Sequence, residues 1–196
     1  TMNKPAISNL SEENETLRFT ISNINVSLAN SIRRIILAEI PTLVFRTTPY
    51  KENKSTIYSN TSRLNNELIK QRLSCIPIHI SDTDFPYQDY MVEINVHNDS
   101  DTIQYVTTKD FKIKNIKTDT YLSESETRTV FPPDTISGDY ISFIRLRPRL
   151  SDTIPGEEIH MECLLDIGTA KQDSAFNVVS TCTYGYTPDP VKINEV

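Results

Sequence analysis

The chain has 196 residues, 37% of them hydrophobic and 23% charged, and a formal charge of −6. This is ordinary globular composition, with room for one large domain or two small ones. The acidic balance excludes a protein that coats nucleic acid through its overall field, because such proteins gain affinity from Lys and Arg neutralising phosphates. With four glycines and no tryptophan, glycine-built phosphate loops are nearly excluded by supply, and neither a P-loop nor a dinucleotide fingerprint occurs.

No run approaches the roughly 20 apolar residues needed to span a bilayer, and the N-terminus lacks the hydrophobic stretch of a signal peptide. The reading is a soluble, intracellular protein with no membrane association. Sequons at Asn14, Asn25, Asn53, Asn60 and Asn98 are then what an Asn-, Ser- and Thr-rich chain contains by chance. Cys75, Cys163 and Cys182 are odd in number and far apart; they read as small buried apolar residues, not as a disulfide framework or a thiolate zinc site. Thr1 in front of Met2 reads as a residue left by an expression tag ahead of a natural start.

In chain order, residues 15–21 set Leu17, Phe19 and Ile21 at period two, as a strand with one buried face does. A helix follows, with Leu28, Ile32, Ile35, Ile36 and Ile40 at helical spacing, Ser27 as its expected cap and Pro41 at its end. Asn30, Ser31, Arg33 and Arg34 fall on the other side. Residues 42–48 and 55–59 are predicted to form a hairpin around a polar turn at 51–54. A second helix is predicted from about Arg63, with Leu64, Leu68, Ile69, Leu73 and Ile76 apolar and Pro77 as terminator.

Beyond Pro77 the pattern changes to short alternating strands, predicted at 90–96, 103–107, 111–116, 141–146, 159–165 and 176–186. Residues 117–140 read as a long exposed loop holding at most a short strand. The fold class is α+β. A domain with two amphipathic helices on a small sheet (1–79) precedes a β-rich module (80–186) and a tail (187–196).

The two apolar stripes pose a covering problem, since the first 77 residues hold little sheet. Burying roughly ten Leu and Ile side chains at ~1.5–3 kcal/mol each is worth about 15–30 kcal/mol gross, the scale of an obligate interface. Periodicity alone leaves open whether the stripes pack on their own sheet or on a partner.

The residues themselves bear on that choice. Residues 23–45 read NINVSLANSIRRIILAEIPTLVF and 60–77 read NTSRLNNELIKQRLSCIP. Together they resemble the third-largest subunit of eukaryotic RNA polymerase II, its equivalent in polymerases I and III, and the corresponding alpha-like subunit of archaeal RNA polymerase, with the bacterial alpha subunit a more distant relative. Residues 167–186, IGTAKQDSAFNVVSTCTYGY, resemble the family's G-I-A-K-E-H-A-K-W segment. Gly168, Ala170 and Lys171 agree with it; Gln172, Asp173 and Phe176 depart. Three ordered motifs across most of the chain make the resemblance specific.

The resemblance implies a non-catalytic scaffold subunit whose dimerisation domain is interrupted by an insert domain. Leu28, Ile32, Ile35, Ile36, Leu64, Leu68 and Leu73 would face a smaller alpha-like partner or the shared core. Asn30, Arg33, Arg34 and Lys171 would contact the second-largest and largest subunits; Arg pairs suit carboxylates and carbonyls of a protein partner. No sequence-specific nucleic-acid contact is implied.

The loop after the second helix, SDTDFPYQDY at 81–90, lacks the family's zinc-binding cysteines, so neither zinc nor an iron–sulfur cluster is expected there. No cofactor and no catalytic residue is expected. His79, His97 and His160 have no neighbours at metal-ligand spacing along the sequence. Only 187–196 remain for the family's returning strand and helix, so the chain reads as an N-terminal fragment or a reduced version. Its polar, Asn-rich character is similar to alpha-like subunits of large DNA viruses, some of which fuse both partners. The location implied is the nucleus, or a viral factory or virion. The competing reading is a stand-alone β-rich recognition module using the 117–140 loop.

Overall fold

The computed structural model describes residues 4–151 and 153–188. The chain divides into two compact units: residues up to Ile40 together with those from Asn177 onward, and Pro41–Phe176. The structure is α+β, as the alternation of periods predicts.

The first unit opens with antiparallel strands β1 (Ala6–Glu13) and β2 (Thr16–Ser22). Asn14 and Glu15 join them with φ of 48° and 58°, the positive pair of a tight hairpin turn that matches strand twist. Only β2 is legible in the sequence. The β1 ladder is irregular between Ser8 and Ser11, with Asn9 at φ 54°, so Ile7 and Leu10 fall three apart and break the alternation that marks a strand.

Helix α1 (Val26–Ala38) follows. Its cap is Asn25, not Ser27: the Asn25 side chain accepts from the Leu28 amide at 2.8 Å and satisfies one of the orphan N–H groups at the helix start. At the other end the Glu39 amide donates to Ile35 O at 2.8 Å, and Pro41 cannot prolong the helix.

The second unit is built around one long strand. In order it contains β3 (Thr42–Phe45), β4 (Ser55–Asn60), α2 (Asn66–Ser74), β5 (Tyr90–His97), β6 (Gln104–Thr107), β7 (Lys112–Asn115), β8 (Thr120–Tyr121), α3 (Glu124–Val130), β9 (Ser142–Leu146) and β10 (Glu158–Gly168). The main sheet runs β3-β10-β5-β7-β8, with β4 also on β10, and β6 pairs separately with β9. All pairings are antiparallel.

Residues 42–48 and 55–59 do not form the predicted hairpin. Instead β4 pairs with residues 159–163 of β10 and β3 with 165–168, end to end. The excursion between them is closed by a Lys54 amide to Arg46 O bond of 2.8 Å. The polar turn leaves the sheet and returns to the same line, a possibility that hydrophobic pattern does not separate from a reversal.

Because β10 pairs with β3, β4 and β5 together, residues 41–79 share one core with those that follow. The compact units divide at Ile40/Pro41, while the sequence pattern changes at 79/80. From Ile159 to Leu165 strand β10 alternates: Ile159, Met161, Cys163 and Leu165 are buried, while His160 and Glu162 point the other way. Phe111 meets Phe131 and Phe143 edge-on at 5.4 and 5.5 Å, and Phe45 stacks on Phe131 at 6.2 Å.

Two further expectations are corrected. The predicted loop at 117–140 contains β8 and α3; α3 starts at a Ser123–Glu126 capping box and delivers Val130 and Phe131 to the core. Its short apolar end hides among polar residues, which is why it reads as loop. Residues 176–186 form no strand: after the single helical turn Ser174–Phe176, no regular element occurs up to residue 188.

Candidate partner-binding face

The 22 buried hydrophobic residues among those described run from Leu43 to Phe176, all inside the second unit. None belongs to the first. In the hairpin, Leu17, Phe19 and Ile21 share a face with Ile7, which pairs directly with Ile21. Ile7, Leu10, Leu17 and Phe19 are all exposed. On α1 no residue is buried: Leu28 and Ile35 are exposed at 46% and 50%, and Ile32 and Ile36 are half-buried. An amphipathic helix normally buries its apolar stripe; this one leaves it half open.

The second predicted stripe behaves differently. In α2, Ile69 and Leu73 are wholly buried, Ile76 joins them just beyond, Leu64 packs against the same core, and Leu68 alone is exposed. Polar bonds fasten the helix: Thr47 Oγ1 donates to Lys70 O at 3.1 Å, and Arg72 donates to the carbonyls of Phe143 and Ser142 at 2.6 and 2.9 Å. The helix starts at an Asn65 cap, later than Arg63. Of the two stripes, one is enclosed by the chain itself and one is not.

Asn30 and Arg33 are half-buried on α1 and Arg34 is exposed. Lys171 lies in the second unit, exposed, in the turn that follows β10. That turn is held by a residue that pattern and motif leave unmarked. Arg46, 8% exposed, donates to Asp166 at 2.7 Å, Glu52 at 2.8 Å, Ile167 O at 2.8 Å and Gln172 Oε1 at 3.2 Å. Gln172 also accepts from the Thr169 amide at 3.1 Å, so an amide serves where the resembled family carries Glu. Gly168 admits no side chain, since a Cβ there would sit 2.7 Å from the Phe176 ring. The only signal for Arg46 in the sequence is a charge at the end of an apolar strand, which is too common to read.

The model of the family described as the RNA polymerase Rpb3/Rpb11 dimerisation domain matches residues 18–180. The chain belongs to that family. The match takes in α1 with its open stripe as well as β10 and the turn after it. Among curated relatives, the chain is similar to the human DNA-directed RNA polymerases I and III subunit RPAC1, 29% identical over 200 residues, covering 90% of this chain and 53% of that one. It is also similar to the archaeal DNA-directed RNA polymerase subunit Rpo3 of Methanosphaera stadtmanae, 25% identical over 195 residues, with 94% and 64% covered. A Tetrahymena thermophila protein called conjugation stage-specific is 28% identical over 195 residues, with 91% and 58% covered. The chain thus spans between half and two thirds of the length of these relatives. No helix among the described residues is long and apolar enough to cross a membrane.

Proposed function

We propose that the chain is a non-catalytic assembly subunit of a DNA-directed RNA polymerase, which heterodimerises through its first unit with a smaller alpha-like partner. The observation that carries this is that no described residue of the first unit is a buried apolar one, in a chain of the Rpb3/Rpb11 dimerisation family. Fully covering Leu28, Ile32, Ile35 and Ile36 would contribute up to about 6–12 kcal/mol, enough to hold a dimer together once the hairpin's exposed side chains join the interface. In this reading the open stripe of α1 meets the partner, and Asn30, Arg33, Arg34 and Lys171 meet the second-largest and largest subunits. Leu73 supports the surface from the core, and Leu68 is the apolar α2 side chain left exposed to meet another protein. A stand-alone recognition module would have to work through a shorter open loop, since β8 and α3 occupy part of the 117–140 segment.

Gel filtration of the chain with and without an alpha-like partner tests the proposal. A co-eluting one-to-one complex is expected; a monomer that behaves identically in both runs would overturn it.

A further inference from the structure

We propose that Glu93, His160 and Glu162 form a binding site for a divalent cation of the zinc class on the polar face of the main sheet. The proposal rests on the second unit alone and is independent of the assembly role.

Strand alternation places His160 and Glu162 on one face of β10, and the antiparallel register sets Glu93 of β5 directly opposite Glu162. One ligand atom from each of the three side chains lies within 4.8 Å of the others. His160 Nε2 is 3.7 Å from Glu93 Oε1. A tetrahedral ion with bonds of about 2.1 Å spaces its ligands about 3.4 Å apart, so modest side-chain closure completes a three-ligand shell with one open position.

The surroundings hold these donors as outer-shell groups hold metal ligands. Tyr58, from β4, lies against the imidazole with the rings tilted by 36° and their centroids 4.8 Å apart, and it donates its hydroxyl to Glu162 Oε2 at 2.7 Å. Tyr121, from β8, donates to Glu93 Oε2. Each carboxylate thus has one oxygen engaged by a phenol.

Like charges directly opposite on neighbouring strands are destabilising, and the Glu93 side chain is only 14% exposed. Lys112 stands opposite Glu93 across the β5–β7 pair and lies over the Tyr121 ring at 6.0 Å, and Lys114 pairs with Asp119 at 2.5 Å. A cation between the carboxylates would relieve the repulsion. One imidazole with two carboxylates favours a zinc-class ion over magnesium or calcium, which demand more oxygen ligands.

The test is isothermal titration of the metal-stripped chain with zinc chloride, repeated with magnesium chloride, together with visible absorption of the cobalt(II) form. One equivalent of zinc should bind, with magnesium at least tenfold weaker. His160→Ala and Glu93→Gln should each weaken zinc binding at least tenfold and abolish the cobalt bands. Glu162→Gln, a gentler change, guards against misfolding, and Asn95→Ala, on the same face without a ligand atom, should bind as the parent does. No saturable zinc uptake by the parent chain, uptake unchanged in folded His160 and glutamate variants, or magnesium binding as tight as zinc would each overturn the proposal.

Discussion

Arg33 donates from both Nε and Nη2 to the side-chain oxygen of Asn30, at 3.1 and 3.0 Å, one turn back along α1. The pair fixes the guanidinium along the helix flank and leaves N–H groups that Asn30 does not take, a preorganised donor set for carboxylates or carbonyls. Arg33→Ala with Arg34→Ala is expected to leave the complex with the alpha-like partner intact and to weaken capture of the second-largest subunit at least tenfold, measured by pull-down. Asn30→Ala should show a smaller loss in the same direction, because it frees the arginine without removing it. Loss of the heterodimer in the double variant would show that the two faces of α1 are reversed.

The contrast between the two apolar stripes predicts opposite phenotypes. Leu28→Asp with Ile35→Asp alters exposed positions, so the isolated chain should lose no more than about 1 kcal/mol in urea denaturation, while partner binding disappears because two charges would need desolvation in an apolar seam. Leu73→Ala, at a wholly buried position, should cost about 2–5 kcal/mol and leave the partner surface in place at temperatures where the chain is folded. Equal effects of both changes on stability would mean that α1 is covered by the chain itself.

The difference between those stripes also marks what a sequence can reveal. Leu28, Ile32, Ile35 and Ile36 recur with a helical period, and so do Leu64, Leu68, Leu73 and Ile76; a period carries no record of what covers a face. What separates them is β10, whose pairing with β3, β4 and β5 lays a sheet under α2. Those pairings join residues far apart along the chain. Local alternation located β5, β6, β7, β9 and β10, and the three motifs pointed to the family. By contrast β1 escaped through its bulge, α3 through its polar composition, and the His160 cluster through a ligand, Glu93, that only strand register brings near.

Three Asn-x-Ser triplets turn out to be structural devices. In each of Asn53, Asn60 and Asn98 the side-chain oxygen accepts from the amide and hydroxyl of the Ser two residues on, the local bonding that makes Asn a turn former. Asn98 is fully buried and also donates to Thr102 O at 2.9 Å and Leu146 O at 3.0 Å. Asn98→Ala takes the side-chain donor from the buried Leu146 carbonyl and the bonds from Thr102 O and the Ser100 amide, and should cost about 2–4 kcal/mol. Chemical denaturation checks this, with Ser100→Ala as the milder control; a loss below about 1 kcal/mol would mean that water replaces the amide at no penalty.

Burial pushes the Cys163 thiol up from its ordinary 9.0 to about 12, with the Asp166 carboxylate adding to the effect. The folded chain therefore holds this proton to higher pH than the unfolded chain does. Below about pH 9 both states are protonated and the contribution is fully present; as pH rises from 9 towards 12, only the unfolded state releases the proton, and stability falls by up to about 1.4 kcal/mol per pH unit. Subtracting the stability of Cys163→Ala from that of the parent at each pH isolates this slope from other alkaline titrations. The same burial predicts the order of thiol modification. Exposed Cys75 should react first, then the half-buried Cys182, and Cys163 only as the chain unfolds. Rapid labelling of all three thiols in the native protein at pH 8 would show that β10 opens far more readily than its place at the centre of the sheet allows.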